Sequence, residues 1–424
     1  MTIRELVDIA ICKIKSNVMR MMTASVLNKV VAMVSSMVIT RILTTQQYGI
    51  WANSLNVYSY LQLFSGLGLV SGAFQFAAEN KNNSKKFSYY NYCLKYGIIV
   101  DVILACLFAV ITLIFPSKIE GSDLYTRLIL PQVILEYIWN ILLTVLRCDD
   151  RIKEYATATN INTVLLAVGT CIGAMFGVGG VVVGRYVAFI LSAIALLTYT
   201  RNSIEPIRKA LALLSAEKKA LWKYSVALQV SGGLNTLVYF LDITMISYLI
   251  ANAEELALYK VATLIPTALV FIPNSVVVVI LPNIAFNKDN KIWLKEYTRK
   301  YYIILGFANL VLCSILFACA PIIISILSGK AYINAVPYFR VLILSYLISG
   351  SIRILSINVL AAMRKVRFNL FISVISGVCN ILLDYFLIKM FGTIGAAYAT
   401  LLTMLISGLI AFGYFIYQIR IKTE

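Results

Sequence analysis

Hydrophobic residues run along this chain in long blocks rather than in alternation. Twelve blocks stand out, near 21–41, 50–76, 92–115, 124–146, 156–176, 179–200, 225–250, 257–284, 302–327, 336–360, 369–389 and 394–418. Each is about 20 residues or longer, the length at which an α-helix crosses roughly 30 Å of hydrocarbon. Hydrocarbon offers backbone N–H and C=O groups no partner, so a spanning segment is a helix or a closed-barrel strand. The period-two alternation of barrel strands is absent. The pattern predicts an all-α integral membrane protein with twelve transmembrane helices. In the first twenty residues Arg4, Glu5, Asp8, Lys13, Lys15 and Arg20 interrupt the apolar positions. That suits a helix lying at the membrane surface, and nothing there reads as a cleaved signal peptide.

The polar gaps between blocks are unequal. Most of the 37 Lys and Arg fall at the two ends and in every second gap: Lys81, Lys85 and Lys86; Arg147, Arg151 and Lys153; Arg201 to Lys223; Lys288 to Lys300; Arg364, Lys365 and Arg367. The other gaps hold one or two, such as Lys118 and Lys330. Basic residues stay on the cytoplasmic side, so both termini are expected there. The longest gap, Ile204–Ser225, mixes Leu211, Leu213, Leu214, Leu221 and Trp222 with lysines, as an interfacial helix does. It divides the chain into 1–200, a linker at 201–224, and 225–424. Six spans on each side give two six-helix bundles related by a parallel pseudo-twofold. The turn Gly177-Val178-Gly179-Gly180 recurs in kind as Phe391-Gly392-Thr393-Ile394-Gly395, and Gln47-Tyr48-Gly49 has a looser counterpart in Glu255-Leu256-Ala257-Leu258-Tyr259.

Composition supports this picture: 60% of residues are hydrophobic and 13% are charged. The formal charge of +18 is the topological bias plus attraction to anionic headgroups, which leaves no call for a nucleic-acid partner. The eight cysteines show no C-x-x-C spacing and sit mostly inside spans as small packers. There is no histidine, which removes His triads, His bases and His metal ligands. With every extramembrane segment short, the sequence predicts neither an enzyme nor a bound cofactor or metal.

The chemistry then lies in polar groups inside the spans, where a charge costs at least ~2.5 kcal/mol unless wet or paired. Asn369, Ser373, Ser376, Asn380 and Asp384 recur every three or four residues in the eleventh span and share one face. Ser345, Ser349, Arg353 and Ser356 do so in the tenth, Ser25, Lys29, Ser36 and Thr40 in the first, ending at Arg41, and Gln229, Gly232, Thr236, Tyr239 and Asp242 in the seventh. Such faces are expected to line one central cavity. Small and hydroxyl residues also serve plain helix packing. For Lys29, Arg353 and Arg185 three readings stay open: cavity residue, internal salt bridge, or snorkelling to the interface. Arg41, Arg127 and Lys260 lie nearer span ends, where snorkelling is easy. Asp101, Glu136, Asp242 and Asp384 are the intramembrane carboxylates, read either as a proton or Na⁺ site or as partners for the cations; Asp242 and Asp384 also read as caps or rim residues.

Two segments carry a family likeness. Thr40-Arg41-Ile42-Leu43-Thr44-Thr45-Gln46-Gln47-Tyr48-Gly49, followed by Phe64-Ser65-Gly66-Leu67-Gly68-Leu69, resembles the first hairpin of bacterial polysaccharide-lipid flippases. Asn380-Ile381-Leu382-Leu383-Asp384, leading to Phe391-Gly392-Thr393-Ile394-Gly395-Ala396-Ala397-Tyr398-Ala399-Thr400, resembles their last. Gln47 departs from the acidic residue that often precedes Tyr-Gly. The chain is similar to O-antigen (Wzx-type) flippases of the multidrug/oligosaccharidyl-lipid/polysaccharide exporter superfamily. That likeness implies a V-shaped pair of bundles around a cationic cavity, moving an undecaprenyl-pyrophosphate-linked oligosaccharide from the cytoplasmic to the periplasmic leaflet in lipopolysaccharide biosynthesis. Lys29, Arg41, Arg353 and Arg185 would then meet the pyrophosphate, and Asn380, Gln229 and Tyr239 the sugar. The partners implied are the lipid-linked substrate, membrane lipid, H⁺ or Na⁺, and other O-antigen assembly proteins. The alternatives are a cation-coupled drug or metabolite antiporter of the same superfamily and an integral-membrane O-antigen polymerase.

Overall fold

The computed structural model describes residues 3–80 and 82–420, with the side chains of 3–22, 231–232, 234–236, 238–239, 366 and 420 outside the described set. The surface reading of the first twenty residues, and Lys81, fall outside it too. The described backbone is helical, without strands, and divides into two compact units. Unit 1 comprises residues up to 43, 57–116 and 121–233; unit 2 comprises 44–56, 117–120 and 234 onward.

In chain order the helices are α1 (Ile3–Ile42), α2 (Thr45–Phe64), α3 (Leu69–Glu79), α4 (Asn83–Ile114), α5 (Ser122–Ile129), α6 (Gln132–Cys148), α7 (Ile152–Ala174), α8 (Gly177–Arg208) and α9 (Ser215–Leu249). They continue as α10 (Ala253–Leu269), α11 (Phe271–Phe286), α12 (Lys291–Ala318), α13 (Ala320–Ser328), α14 (Val336–Ile348), α15 (Ile354–Ala362), α16 (Val366–Phe391) and α17 (Ile394–Arg420). Among the described residues eleven helices or joined helix pairs are long and apolar enough to cross a membrane. The seventh expected span falls on α9, whose Phe240–Leu249 stretch is apolar. Asparagines start several of these helices: Asn82, Asn252 and Asn290 accept backbone N–H groups that lack an earlier carbonyl.

Some spans expected to be regular are interrupted. Between α2 and α3, Gly66, Leu67 and Gly68 take left-handed φ of 54°, 44° and 81°. A Cβ on Gly66 would overlap the Tyr137 ring, and one on Gly68 the Ser225 carbonyl, so close packing and backbone handedness both select glycine there. Pro273 in α11 has no N–H for the Leu269 carbonyl one turn back; Tyr346 Oη donates to that carbonyl instead, at 3.1 Å. Ser349–Arg353 forms a π turn joining α14 to α15, which shifts the register of the tenth-span polar stripe by one residue.

In unit 1 the glycine pairs Gly169/Gly173 on α7 and Gly180/Gly184 on α8 let the two backbones touch, because a Cβ on any of them would overlap the partner helix. Its core gathers Leu69, Tyr90, Tyr137 and Leu221; that of unit 2 gathers Ile280, Leu294, Leu355 and Phe415. The linker expected as one interfacial helix over 204–225 is split: α8 runs to Arg208, an irregular stretch follows, and α9 begins at Ser215. Burial of Ile207, Leu213 and Leu221 in the unit 1 core turns the chain inward. Glu217 caps the new start by accepting from Leu214 N–H at 3.1 Å and pairs with Lys85 at 2.6 Å. These two donors hold the Glu217 carboxyl below its usual range.

Candidate functional site

Unit 2 gathers polar side chains around Asp242 of α9. Thr400 Oγ1 of α17 donates to its carboxylate at 2.6 Å, Asn380 Nδ2 of α16 at 3.1 Å, and Tyr259 Oη of α10 donates as well. Asp384 lies one turn beyond Asn380 on α16 and interacts directly with Asp242. It is 0% exposed, and among the described residues neither of its oxygens has a hydrogen-bond donor and Asn380 Oδ1 has no partner. Among the described residues no Lys or Arg forms an ion pair with either carboxylate. Two ionised carboxylates in contact, away from water, repel, so the arrangement calls for one positive charge as a shared proton or a monovalent cation. The oxygen-rich donor set of Asp242, Asp384, Asn380 and Thr400 fits a hard cation as well as a proton.

A cavity of about 590 Å³ opens beside the pair, lined by Asp242, Lys260, Thr263, Asn274, Ser345 and Tyr346 among others. Lys260 follows Tyr259 in α10 and, among the described residues, its ammonium makes no hydrogen bond or ion pair. The cavity therefore sets the Lys260 ammonium and the Asp242 carboxylate among hydroxyl and amide groups, with apolar walls from Phe240, Leu264 and Met404. That mixture fits a ligand bearing an anion and several hydroxyls.

Unit 1 gives Arg185, Glu136 and Asp101 internal partners. Arg185 of α8 donates to Gln132 Oε1 at 3.2 Å and approaches Glu136 Oε1 at 3.4 Å. Gln62 and Gln132 also donate to Glu136, and Arg185 lies over the Tyr58 ring. Asp101 is fully buried and accepts from Gly66 N–H at 2.7 Å and Ser65 Oγ at 2.8 Å. It thus clamps the left-handed break between α2 and α3, supplying the acceptor that an interrupted helix needs.

The remaining candidates are scattered within their units. Lys29 and Arg41 are exposed on α1. Gln229 Nε2 donates to the Leu63 carbonyl, which is a packing role within unit 1. Arg353 is half-buried on the π turn, and its Nε donates to Ser407 Oγ at 2.9 Å. Tyr239, with Gly232 and Thr236, lies outside the described residues. Unit 2 thus brings together Asp242, Asn380 and Asp384, and adds Tyr259, Lys260 and Thr400. Sequence reasoning set Lys260 aside as a residue near a span end, and Tyr259 and Thr400 belong to no polar stripe that helical spacing picks out. The available signal was Lys260, a cation eight residues past the Asn252 cap and so about two turns inside its span.

A family model described as "Polysaccharide biosynthesis protein" matches residues 38–337. Among solved structures, the chain is similar to the lipid II flippase MurJ in an inward closed conformation, with TM-score 0.75 and 14% identity over 94% of this chain and 87% of that one. It is likewise similar to an inward-facing multidrug resistance MATE family transporter of the MOP superfamily, with TM-score 0.75 and 12% identity over 92% and 94%. A MOP superfamily transporter from Pyrococcus furiosus, described as having a binding pocket of reversed polarity, matches with TM-score 0.60 and 12% identity over 95% and 94%. At these identities the likeness is one of fold. No curated protein sequence matches the chain.

Proposed function

From the premise that this chain belongs to the polysaccharide biosynthesis protein family and carries the fold of the MOP superfamily, we propose that it is a flippase. It moves undecaprenyl-pyrophosphate-linked O-antigen oligosaccharide units from the cytoplasmic to the periplasmic leaflet of the inner membrane. The observation that carries this reading is the unit 2 cavity, where Lys260 stands among hydroxyl and amide side chains in the middle of apolar helices. A spontaneous flip would drag a pyrophosphate and many sugar hydroxyls through hydrocarbon, at ~2–7 kcal/mol per unpaired hydroxyl. A hydroxyl-lined cavity with Lys260 to meet the pyrophosphate, entered by alternating access, removes most of that barrier while the lipid tail stays in the bilayer.

Lys260 takes the leading anion-binding role, with Lys29, Arg41 and Arg353 as further cations. Arg185 contributes less net charge because Glu136 already offsets it. The Asp242–Asp384 pair couples the cycle to H⁺ or Na⁺. An inside-negative potential also favours outward movement of an anion, by about 2.3 kcal/mol per charge per 100 mV. The basic gaps support cytoplasmic termini, and the flipped unit is then taken over by other O-antigen assembly proteins.

Depletion of the protein is expected to leave single lipid-linked repeat units facing the cytoplasm. Single units on the periplasmic face would instead point to a polymerase and overturn the reading. At normal membrane levels, Lys260→Gln is expected to lower export by about tenfold or more, as for a lost charge-assisted contact of ~1.5–3 kcal/mol. Unchanged export would remove the cavity from the pathway.

A further inference from the structure

The α16–α17 hairpin carries a polar seam of which the carboxylate pair occupies one end. Its register follows from two facts: Asn380 and Thr400 both bond Asp242, and nearer the turn a Cβ on Gly395 would overlap the Leu387 carbonyl. Moving away from the turn, Ser376 and Thr403 come one helical turn along, and Ser373 and Ser407 come next. All four are buried. Ser373 and Ser407 donate to the carbonyls four residues back, Asn369 and Thr403, which is the ordinary habit of a hydroxyl in a membrane helix. Among the described residues, Ser376 Oγ and Thr403 Oγ1 have no hydrogen-bond partner, nor have Asn380 Oδ1 and the two Asp384 oxygens. Past Ser407 stands Arg353, whose Nε donates to its hydroxyl.

Buried polar atoms find a partner in about nine cases in ten, so this concentration of unpartnered oxygens in one seam needs a cause. A file of water would give these oxygens partners, since each water makes two to four polar contacts. Asp242 lines the cavity, whereas Asp384 is not among the cavity-lining residues.

We infer that the α16–α17 seam is a proton path, running from the level of Arg353 past Ser407, Thr403 and Ser376 to Asp384, so that the carboxylate pair is reached from two directions. It rests on the reading of that pair as the coupling site. The seam holds hydroxyls rather than carboxylates or free carbonyls, so nothing along it replaces the hydration shell of a metal ion. A hydroxyl or water instead forms a new O–H bond to the arriving proton and releases its own to the next oxygen. The last O–H bond forms on Asp384, and one proton has moved with no other bond changed. The charged and titratable groups around the pair are Tyr259 and Lys260 of α10, with Arg353 at the far end of the seam. Arg353 is permanently charged, and its positive field at the entrance holds protons back, making it the valve of the path.

The test uses the purified full-length protein in vesicles that contain a pH-sensitive dye, with a potassium diffusion potential driving protons inward. Arg353→Gln is expected to raise proton influx at least about fivefold over wild type, for loss of one unit charge at the entrance, whereas Arg353→Lys leaves it unchanged. Adding Ser376→Ala and Thr403→Val to Arg353→Gln is expected to return influx to the wild-type level. If that triple variant does not reconstitute, Arg353→Gln with Thr403→Val gives the same readout. No leak in Arg353→Gln, a leak that survives loss of the hydroxyls, or a leak carried equally by sodium would each overturn the path. Flipping of a lipid-linked oligosaccharide is followed in the same vesicles. Flipping with a persistent leak defeats the path alone, whereas no flipping by wild type defeats the transport reading.

Discussion

Thr400→Val offers a controlled test of how Asp242 is held, because valine keeps the shape of threonine and removes only the hydroxyl. Three side chains donate to Asp242, and the Thr400 bond, at 2.6 Å, has the short length of a charge-assisted contact. Such bonds contribute ~1.5–3 kcal/mol, so the expected loss is about 2 kcal/mol. In a unit of roughly 200 residues that lowers the melting temperature by about 4–8 °C. Thr403→Val is the control one turn along α17: its side chain is buried, whereas Thr400 is half-buried beside the cavity, and among the described residues its hydroxyl bonds no protein atom. The change there is expected within about 1 kcal/mol, since at most a water contact is exchanged for apolar burial. Thermal unfolding of both variants in one detergent, followed by tryptophan fluorescence, gives the comparison. Equal losses at the two sites, or none at Thr400, would refute the view that the hydroxyl donates to an ionised Asp242.

Asp101→Ala should leave Gly66 N–H and Ser65 Oγ without their acceptor and cost about 2–4 kcal/mol, read as a drop in folded yield, with Asp101→Asn recovering part of it because an amide oxygen still accepts. Gly173→Leu should abolish accumulation of folded protein, since its side chain would overlap the Gly180 backbone, whereas Gly413→Ala, with open space around it, should not; size-exclusion profiles distinguish them. Glu217 is held below its ordinary range by Lys85 and Leu214 N–H. Its pairing therefore contributes fully above the unfolded carboxylate range and fades as pH falls through the lower folded value. Acidification below about pH 4 should loosen the start of α9, reported by fluorescence of Trp222, whose indole bonds Tyr92; a signal flat to pH 2 would count against it.

The stripe in the eleventh span was legible because helical periodicity puts Asn380 and Asp384 on one face, whatever packs against them. Their partner was not legible. Asp242 lies 138 residues from Asn380 in sequence, and only the packing of α9 against α16 and α17 makes one site of groups that each looked like a cap or rim residue. Glu136 and Arg185, 49 residues apart, were read separately as an ion-coupling and a cavity candidate, and their pairing in unit 1 gives each a nearer explanation. The breaks at Ser65–Gly68, before Phe271 and at Ser349–Arg353 were also hidden, because hydropathy averages over a span and does not register one turn of altered backbone.

The sequence by itself determined that the chain spans a membrane, about how many times, and where the polar gaps lie. Those follow from one-dimensional quantities, the length of apolar runs and the spacing of charges, which the bilayer reads segment by segment. Tertiary structure decided which intramembrane charges are neutralised and which are left to act. Arg185 meets Glu136, Asp101 is spent on a helix break, and Asp242 and Asp384 face each other with no Lys or Arg paired to either among the described residues. That choice depends on distances of a few ångströms between helices far apart in the chain, and in a low-dielectric interior such distances decide whether a charge is compensated.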